Sequence, residues 1–168
     1  SDDMDGLRKV PENVPNKKML AENIGKPLTS IPDPFEKYES FGHHNNAKLR
    51  SFLEKFNFDY DFVSSTEKYK SGFFDNIIIE ILHNYQKILE IILPTLRKER
   101  KNTYSPFLPI SQETGNVLQV QIEEYRPNKN TIVYTEPTNQ RKVETLVTGG
   151  NCKLQWKVDW SMRWMSLD

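Results

Sequence analysis

Leu154-Gln-Trp156-Lys-Val-Asp159-Trp160-Ser-Met-Arg163-Trp164 gathers all three tryptophans of the chain into nine positions, with an acid and bases set between them. Each indole exposes a large apolar ring, so such crowding on an ordinary surface is rare. Leu154-Gln-Trp-Lys-Val reads as a strand and Asp159-Trp-Ser-Met-Arg-Trp-Met as the opening of a helix. A strand that breaks into a helix at an acid–aromatic pair is where open α/β folds gather ligand contacts, at the carboxyl edge of the sheet. A Trp-rich corner of the core is the competing reading.

Upstream of this stretch, Gly149-Gly150 releases the chain into that final strand. Residues 117–122, 131–135 and 143–147 are β-prone and separated by Pro-Asn-Lys-Asn and Pro-Thr-Asn-Gln turns, which predicts a small antiparallel meander. Phe74, Ile77, Ile78, Ile81, Leu82, Tyr85, Ile88, Leu89 and Ile92 recur at steps of three and four, predicting one long helix that packs on a sheet. Pro94 should kink or restart it before Arg97-Lys-Glu-Arg-Lys101, a basic run that reads as a solvated helix end, with an RNA contact as the other possibility. Ser64-Ser-Thr-Glu67 should cap a helix. Phe58-Asp-Tyr-Asp-Phe-Val alternates like a strand, and a helix is expected over 45–56 with Ala47, Leu49, Phe52, Leu53 and Phe56 on its apolar side. Another short helix is expected over 16–25, capped by Asn16 and stopped by Gly25, followed by an extended proline-bearing loop over 25–34.

The order is strand end, helices, strand, long helix, β insertion, strand, helix. It reads as α/β, part of a Rossmann-like sheet interrupted by an inserted module. The expected division is 1–106 and 151–168 for the Rossmann-like part and 107–150 for the insertion.

Composition narrows the function classes. Lysine plus arginine and aspartate plus glutamate number 23 each, so the chain lacks the basic excess that advertises a nucleic-acid surface. One cysteine, Cys152, excludes an internal disulfide and suits a reducing, cytoplasmic compartment. The apolar run over 77–93 is interrupted by Glu80, His83, Asn84, Gln86, Lys87 and Glu90, so it does not read as a membrane span. A small α/β hydrolase fits poorly, since no Gly-x-Ser-x-Gly elbow occurs. At the start, Asp2, Asp3 and Asp5 stand within five residues, which reads as the exit of a strand lying upstream and thus as a piece of a longer protein. The three acids could hold Mg²⁺ with a nucleotide, or form a capped turn with a salt bridge to Arg8. His43-His44 looks ligand-like but has no further ligand near in sequence, and an Asn-capped helix entry is the simpler expectation.

Ser1-Asp-Asp-Met-Asp-Gly-Leu-Arg-Lys-Val-Pro, Phe41-Gly-His-His-Asn-Asn-Ala, Tyr104-Ser-Pro-Phe-Leu-Pro-Ile, Val147-Thr-Gly-Gly and Trp156-Lys-Val-Asp-Trp-Ser-Met-Arg-Trp, in this order, resemble the class I lysyl-tRNA synthetases over nearly the whole length. The resemblance implies ATP-dependent activation of L-lysine, with Mg²⁺, and transfer to tRNA(Lys). It also implies that the two nucleotide motifs flank this chain, a His-Ile-Gly-His type before Ser1 and a Lys-Met-Ser-Lys-Ser type after Asp168. Neither occurs here, so the chain alone is expected to be inactive. A synthetase-like protein that binds lysine or tRNA without catalysis is the alternative.

What these residues can offer is part of the amino-acid pocket, where a lysine ammonium needs a carboxylate or carbonyl and an aromatic wall. Cysteinyl-tRNA synthetases carry a similar Trp-His-Ile-Glu-Cys stretch at this junction, and that parallel puts Trp160 at the pocket, with Trp156 and Asp159 close by. Arg163 is a further candidate. The structural alternatives are Asp159 as the cap of the last helix, Trp156 as sheet core and Arg163 paired with an acid. Catalytic residues are not expected in this chain. Many members of the lysyl family carry a sequence resembling Pro-Ile-Cys-x-x-Cys-Gly in a zinc-binding insertion. Here Pro109-Ile-Ser111-Gln-Glu-Thr114-Gly115 puts hydroxyls in place of the thiolates, so the insertion is expected to fold without zinc.

Overall fold

The computed structural model describes residues 1–167 and forms two compact units. The first comprises Ser1–Lys68 with Gln112–Val117, the second Tyr69–Ser111 with the chain from Leu118 onward.

In the first unit, helix α1 spans Lys17–Glu22. Asn16 stands at its start in the left-handed region (φ 52°), and its amide donates to the Pro34 carbonyl, so the expected side-chain cap is absent. The loop over 25–34 is not extended throughout, because Leu28–Ser30 forms a 3-10 turn. Helix α2 runs Phe41–Lys55, starting four residues before the expected 45. Its cap is Ser40, whose hydroxyl oxygen accepts the His43 N–H at 3.1 Å, not an asparagine. Gly42 sits inside this helix for a steric reason: a Cβ there would meet the Thr29 backbone nitrogen at 2.8 Å. The buried residues of α2 are Phe41, Gly42, His44 and Asn46, while Leu49, Phe52 and Phe56 of the expected apolar side are exposed.

Leu7, Leu20, Ile31 and Phe41 make the core of this unit, flanked by Val10, Val14, Met19, Leu28 and Phe35. Two buried aspartates organise the loops around it. Asp33 accepts the N–H groups of Phe35, Lys37 and Tyr38, and its Oδ2 lies 3.0 Å from His44 Nδ1. His44 is therefore a core group, stacked on Phe35 at 4.4 Å. Asp3 accepts from the Asn46 amide at 2.8 Å, the Thr66 N–H at 2.9 Å and the Ser65 hydroxyl at 3.2 Å. The strand expected over 58–63 is not formed; that stretch belongs to no paired strand, and the Val63 carbonyl accepts from the Ser1 amine. Alternation alone cannot make a strand where no neighbour supplies the ladder. Helix α3, Ser65–Lys70, is capped as the sequence suggests, Ser64 Oγ accepting the Glu67 N–H.

In the second unit the single helix expected over 74–92 is two helices, α4 Asp75–His83 and α5 Tyr85–Ile92. They part at Asn84, where ψ is 16° and the side-chain amide donates back to the Glu80 carbonyl at 3.0 Å. An asparagine that bonds the backbone locally competes with helix continuation, which apolar periodicity does not register. A 3-10 turn at Leu93–Thr95 carries Pro94, and α6 (Lys98–Lys101) holds the exposed basic run. Strand β1, Phe107–Pro109, pairs antiparallel with β5, Cys152–Leu154, in the register Phe107↔Leu154.

Between them β2 (Ile122–Arg126), β3 (Thr131–Thr135) and β4 (Lys142–Leu146) form an antiparallel meander of order β2-β3-β4. Its first strand begins five residues later than expected, and ion pairs reach across β3 between the two outer strands, Arg126 of β2 with Glu144 of β4 and Glu123 of β2 with Lys142 of β4. Central β3 is almost wholly buried. Ser111 Oγ donates to the buried Glu136 carboxylate at 2.9 Å. The strand expected over 154–158 is also corrected, since β5 ends at Leu154 and α7 occupies Trp156–Ser166. Among the described residues every strand pair is antiparallel, so the result is a mixed helix–strand fold with two small antiparallel sheets.

Burial works to raise the pKa of Asp3, but hydrogen bonds from the Ser64–Thr66 turn and Asn46 outweigh it and hold the carboxyl below its ordinary value. Asp33 is lowered in the same way, burial being outweighed by the N–H of Phe35, by His44 and by the N–H groups of Lys37 and Tyr38. The unfolded chain therefore binds these protons more readily. Their stabilisation is complete above the unfolded carboxylate value of about 4 and is lost as pH falls through the lower folded values. Thermal melts should show a midpoint that drops below pH ~4, with a shallower low-pH slope in Asp3→Asn. An unchanged slope in that variant would contradict the role given to Asp3.

Candidate functional site

Helix α7 begins directly after the β5 corner, with the Val158 and Asp159 N–H groups both donating to the Gln155 carbonyl. Its eleven residues present two different faces. Trp156, Trp160 and Trp164 recur every fourth residue and so share one side. They are exposed to 64%, 44% and 68%, and successive rings meet edge-on with centroids 6.4 Å apart. Three neighbouring indoles left this open form a ready wall for an aliphatic stem or a cation.

Asp159 points the other way. It is 1% exposed, accepts the Tyr69 hydroxyl on Oδ1 at 2.5 Å, and pairs through Oδ2 with Arg163, one helical turn on, also at 2.5 Å. Tyr69 is fully buried and its oxygen also accepts the Leu154 N–H at 3.1 Å. Burial first, and then the neighbouring Asp159 charge, push the Tyr69 pKa well above its ordinary value, so the hydroxyl remains a donor across physiological pH. Both carboxylate oxygens of Asp159 are thus engaged inside the protein, although sequence reasoning set it beside Trp160 as a possible ammonium partner. Adjacent helical residues point about 100° apart, which separates the two side chains. Tyr69 was not legible as a site residue. It lies ninety positions before Asp159 in a short helix, and no local pattern marks it.

The side of α7 away from the tryptophans, with Val158, Met162 and Met165, lines an apolar groove of about 450 Å³ together with Ile77, Ile81 and Ile88 of α4 and α5. None of Trp156, Asp159, Trp160 or Arg163 lines it. Its charged members are Glu80 and Lys157. Asp2, Asp3 and Asp5 belong to the first unit. Asp3 spends both oxygens on Asn46, Ser65 and Thr66, and the Asp2 and Asp5 backbones close a turn. Among the described residues no three His, Cys, Asp or Glu side chains converge as a metal site, and no helix is long and apolar enough to cross a membrane. Cys152 is buried, and burial pushes its thiol far up.

The sequence matches the family model described as tRNA synthetases class I (K) over residues 1–168. The lysine–tRNA ligase of Rickettsia bellii (strain OSU 85-389) is 58% identical over 167 residues, which is 99% of this chain and 32% of that protein. The lysine–tRNA ligase of Rickettsia felis is likewise 58% identical over 99% of this chain, and that of Rickettsia akari (strain Hartford) 56%. The chain spans about a third of the length of these curated relatives, 31–32%.

Removing one member of a buried ion pair leaves the other charge uncompensated, a loss of about 3 kcal/mol or more. Arg163→Met should lower stability by about that amount in urea melts, and Asp159→Asn should relieve most of the cost in the double variant. A loss under about 1 kcal/mol, typical of surface pairs, would show that Asp159 does not depend on Arg163.

Proposed function

The chain belongs to the class I (K) tRNA synthetases, and from that premise we propose that it forms part of an ATP-dependent lysine–tRNA ligase. The names of relatives 56–58% identical over nearly all of this chain support that reading, as does the share of their length that it covers. The reaction is activation of L-lysine by ATP, its carboxylate attacking the α-phosphate, followed by transfer to a ribose hydroxyl of tRNA(Lys). Binding ATP with Mg²⁺ falls to parts of the protein beyond these residues. Asp3 does not suit a metal, because its oxygens are already held by Asn46, Ser65 and Thr66. We assign no catalytic step to this chain, and work in the cytoplasm follows from the same reading.

In the finer fold assignment, 1–106 and 151–168 belong to a Rossmann-like part and 107–150 is an inserted module. The β1–β5 pairing supports it, since Phe107 and Leu154 bring the entry and exit of the insert side by side.

This chain's contribution is to lysine recognition. The observation that carries the reading is the open Trp160 indole, flanked by Trp156 and Trp164, on a helix whose inner side is fixed by Asp159 and Arg163. Trp160 covers the aliphatic stem and attracts the ammonium through its π face, an interaction of about 0.5–2 kcal/mol. Trp156 forms the adjoining wall. Asp159 and Arg163 act from behind, holding the helix.

In the full-length protein, Trp160→Ala should raise the KM for lysine roughly 2- to 30-fold with little change in the KM for ATP, and Trp160→Phe should fall between. If the alanine variant folds and its lysine KM does not move, or ATP and lysine suffer equally, Trp160 is not in the pocket.

A further inference from the structure

We propose that Tyr69 is a positioning residue for this amino-acid pocket: its hydroxyl, held between β5 and α7, sets the rotation of α7 and with it the place of Trp160. The inference rests on the reading of Trp160 given above.

One oxygen atom makes two bonds to two elements. It accepts the N–H of Leu154, the last residue of β5, and donates to Asp159 in the first turn of α7. Only Gln155 lies between strand and helix. The hydroxyl therefore spans the corner from inside and fixes the angle at which the helix leaves the strand. Arg163 holds the other oxygen of the same carboxylate, so Asp159 cannot swing without breaking one bond or the other.

Trp160 follows Asp159 directly, and the helix is rigid over one turn. At a side-chain radius of about 5–6 Å, a 20° rotation of α7 would carry the indole roughly 2 Å. Displacements of that order are enough to weaken a positioned contact substantially.

The tyrosine ring has separate work. It packs edge-on against Phe74 at 5.3 Å in the buried interior, a contact that phenylalanine would keep. Tyr69→Phe thus removes the two bonds at the corner and little else. Burial and the Asp159 charge keep the hydroxyl protonated, so this joint does not loosen with pH in the physiological range.

The test is steady-state aminoacylation by the full-length protein carrying Tyr69→Phe, Trp160→Ala and both. Tyr69→Phe should raise the lysine KM about threefold or more while the ATP KM stays within about twofold. Because Tyr69 acts through Trp160, it should add almost nothing on the Trp160→Ala background. An unchanged lysine KM, an equal rise for ATP, or effects that multiply in the double variant would overturn the proposal. If Tyr69→Phe does not fold, Asp159→Asn carries the test. Its amide faces two donors, Tyr69 and Arg163, with a single acceptor oxygen, so one bond is lost and the lysine KM should rise. A folded Asp159→Asn with an unmoved lysine KM would overturn it equally. The two readings fail differently. If Trp160→Ala itself leaves lysine binding intact, the pocket assignment falls and this inference falls with it. A Trp160→Ala effect without a Tyr69→Phe effect removes only the positioning role.

Discussion

A carboxylate taken out of water must be compensated in place, and at Asp159 that requirement organises the end of the chain. Its partners come from the end of α3 and from the next turn of its own helix, Tyr69 and Arg163. Uncompensated, a buried charge costs several kcal/mol. With both partners present, the charge ties the β5 corner to α7 and fixes which side of the helix faces inward. The outward side then carries Trp156, Trp160 and Trp164 as an open aromatic wall. The exposure of the tryptophans and the burial of the aspartate are two consequences of one helix rotation.

The same device recurs in the first unit. Asp3 draws together the N-terminal turn, α2 and the start of α3, and Asp33 gathers three backbone N–H groups and His44. Buried carboxylates with full sets of donors act as joints where apolar contacts alone would leave loops unspecified. Cys152 and the Ser111–Glu136 bond belong to the second unit's interior, where hydroxyl and carboxylate meet at the position that prompted the question of zinc. The groove beside Met162 and Met165 is apolar, and a lysine ammonium would find only Glu80 as a counter-charge there. The aromatic side of α7 suits the proposed lysine contact better.

Much of the organisation could be read from residue order. The Ser64 cap, the break at Pro94, the three-strand meander and the helical course from Asp159 onward all follow from local chemistry, because caps, prolines and β-branched runs act over a few residues. Trp156, by contrast, was expected in a strand and lies in α7. Errors arose where tertiary or side-chain geometry overrode the pattern. Asn84 ends α4 with its side-chain amide bonded to the Glu80 carbonyl, so an unbroken apolar stripe becomes two helices. The helix expected from 45 starts at Phe41, and Gly42 inside it lets α2 approach Thr29. Leu49, Phe52 and Phe56 have the period of a core face yet lie exposed. Adjacent positions such as Asp159 and Trp160 need not face one ligand, which the sequence allows for, but which of the two turns inward and that Tyr69 holds it follow only from the fold.

The most direct test of the pocket is a structure of the full-length protein with L-lysine bound. The account predicts the lysine stem and ammonium against the exposed face of Trp160, with Asp159 still bonded to Tyr69 and Arg163 and out of reach of the ligand. Lysine bound elsewhere, with the Trp160 ring packed only against protein, would contradict it, as would an Asp159 carboxylate that turns from Tyr69 to meet the ammonium.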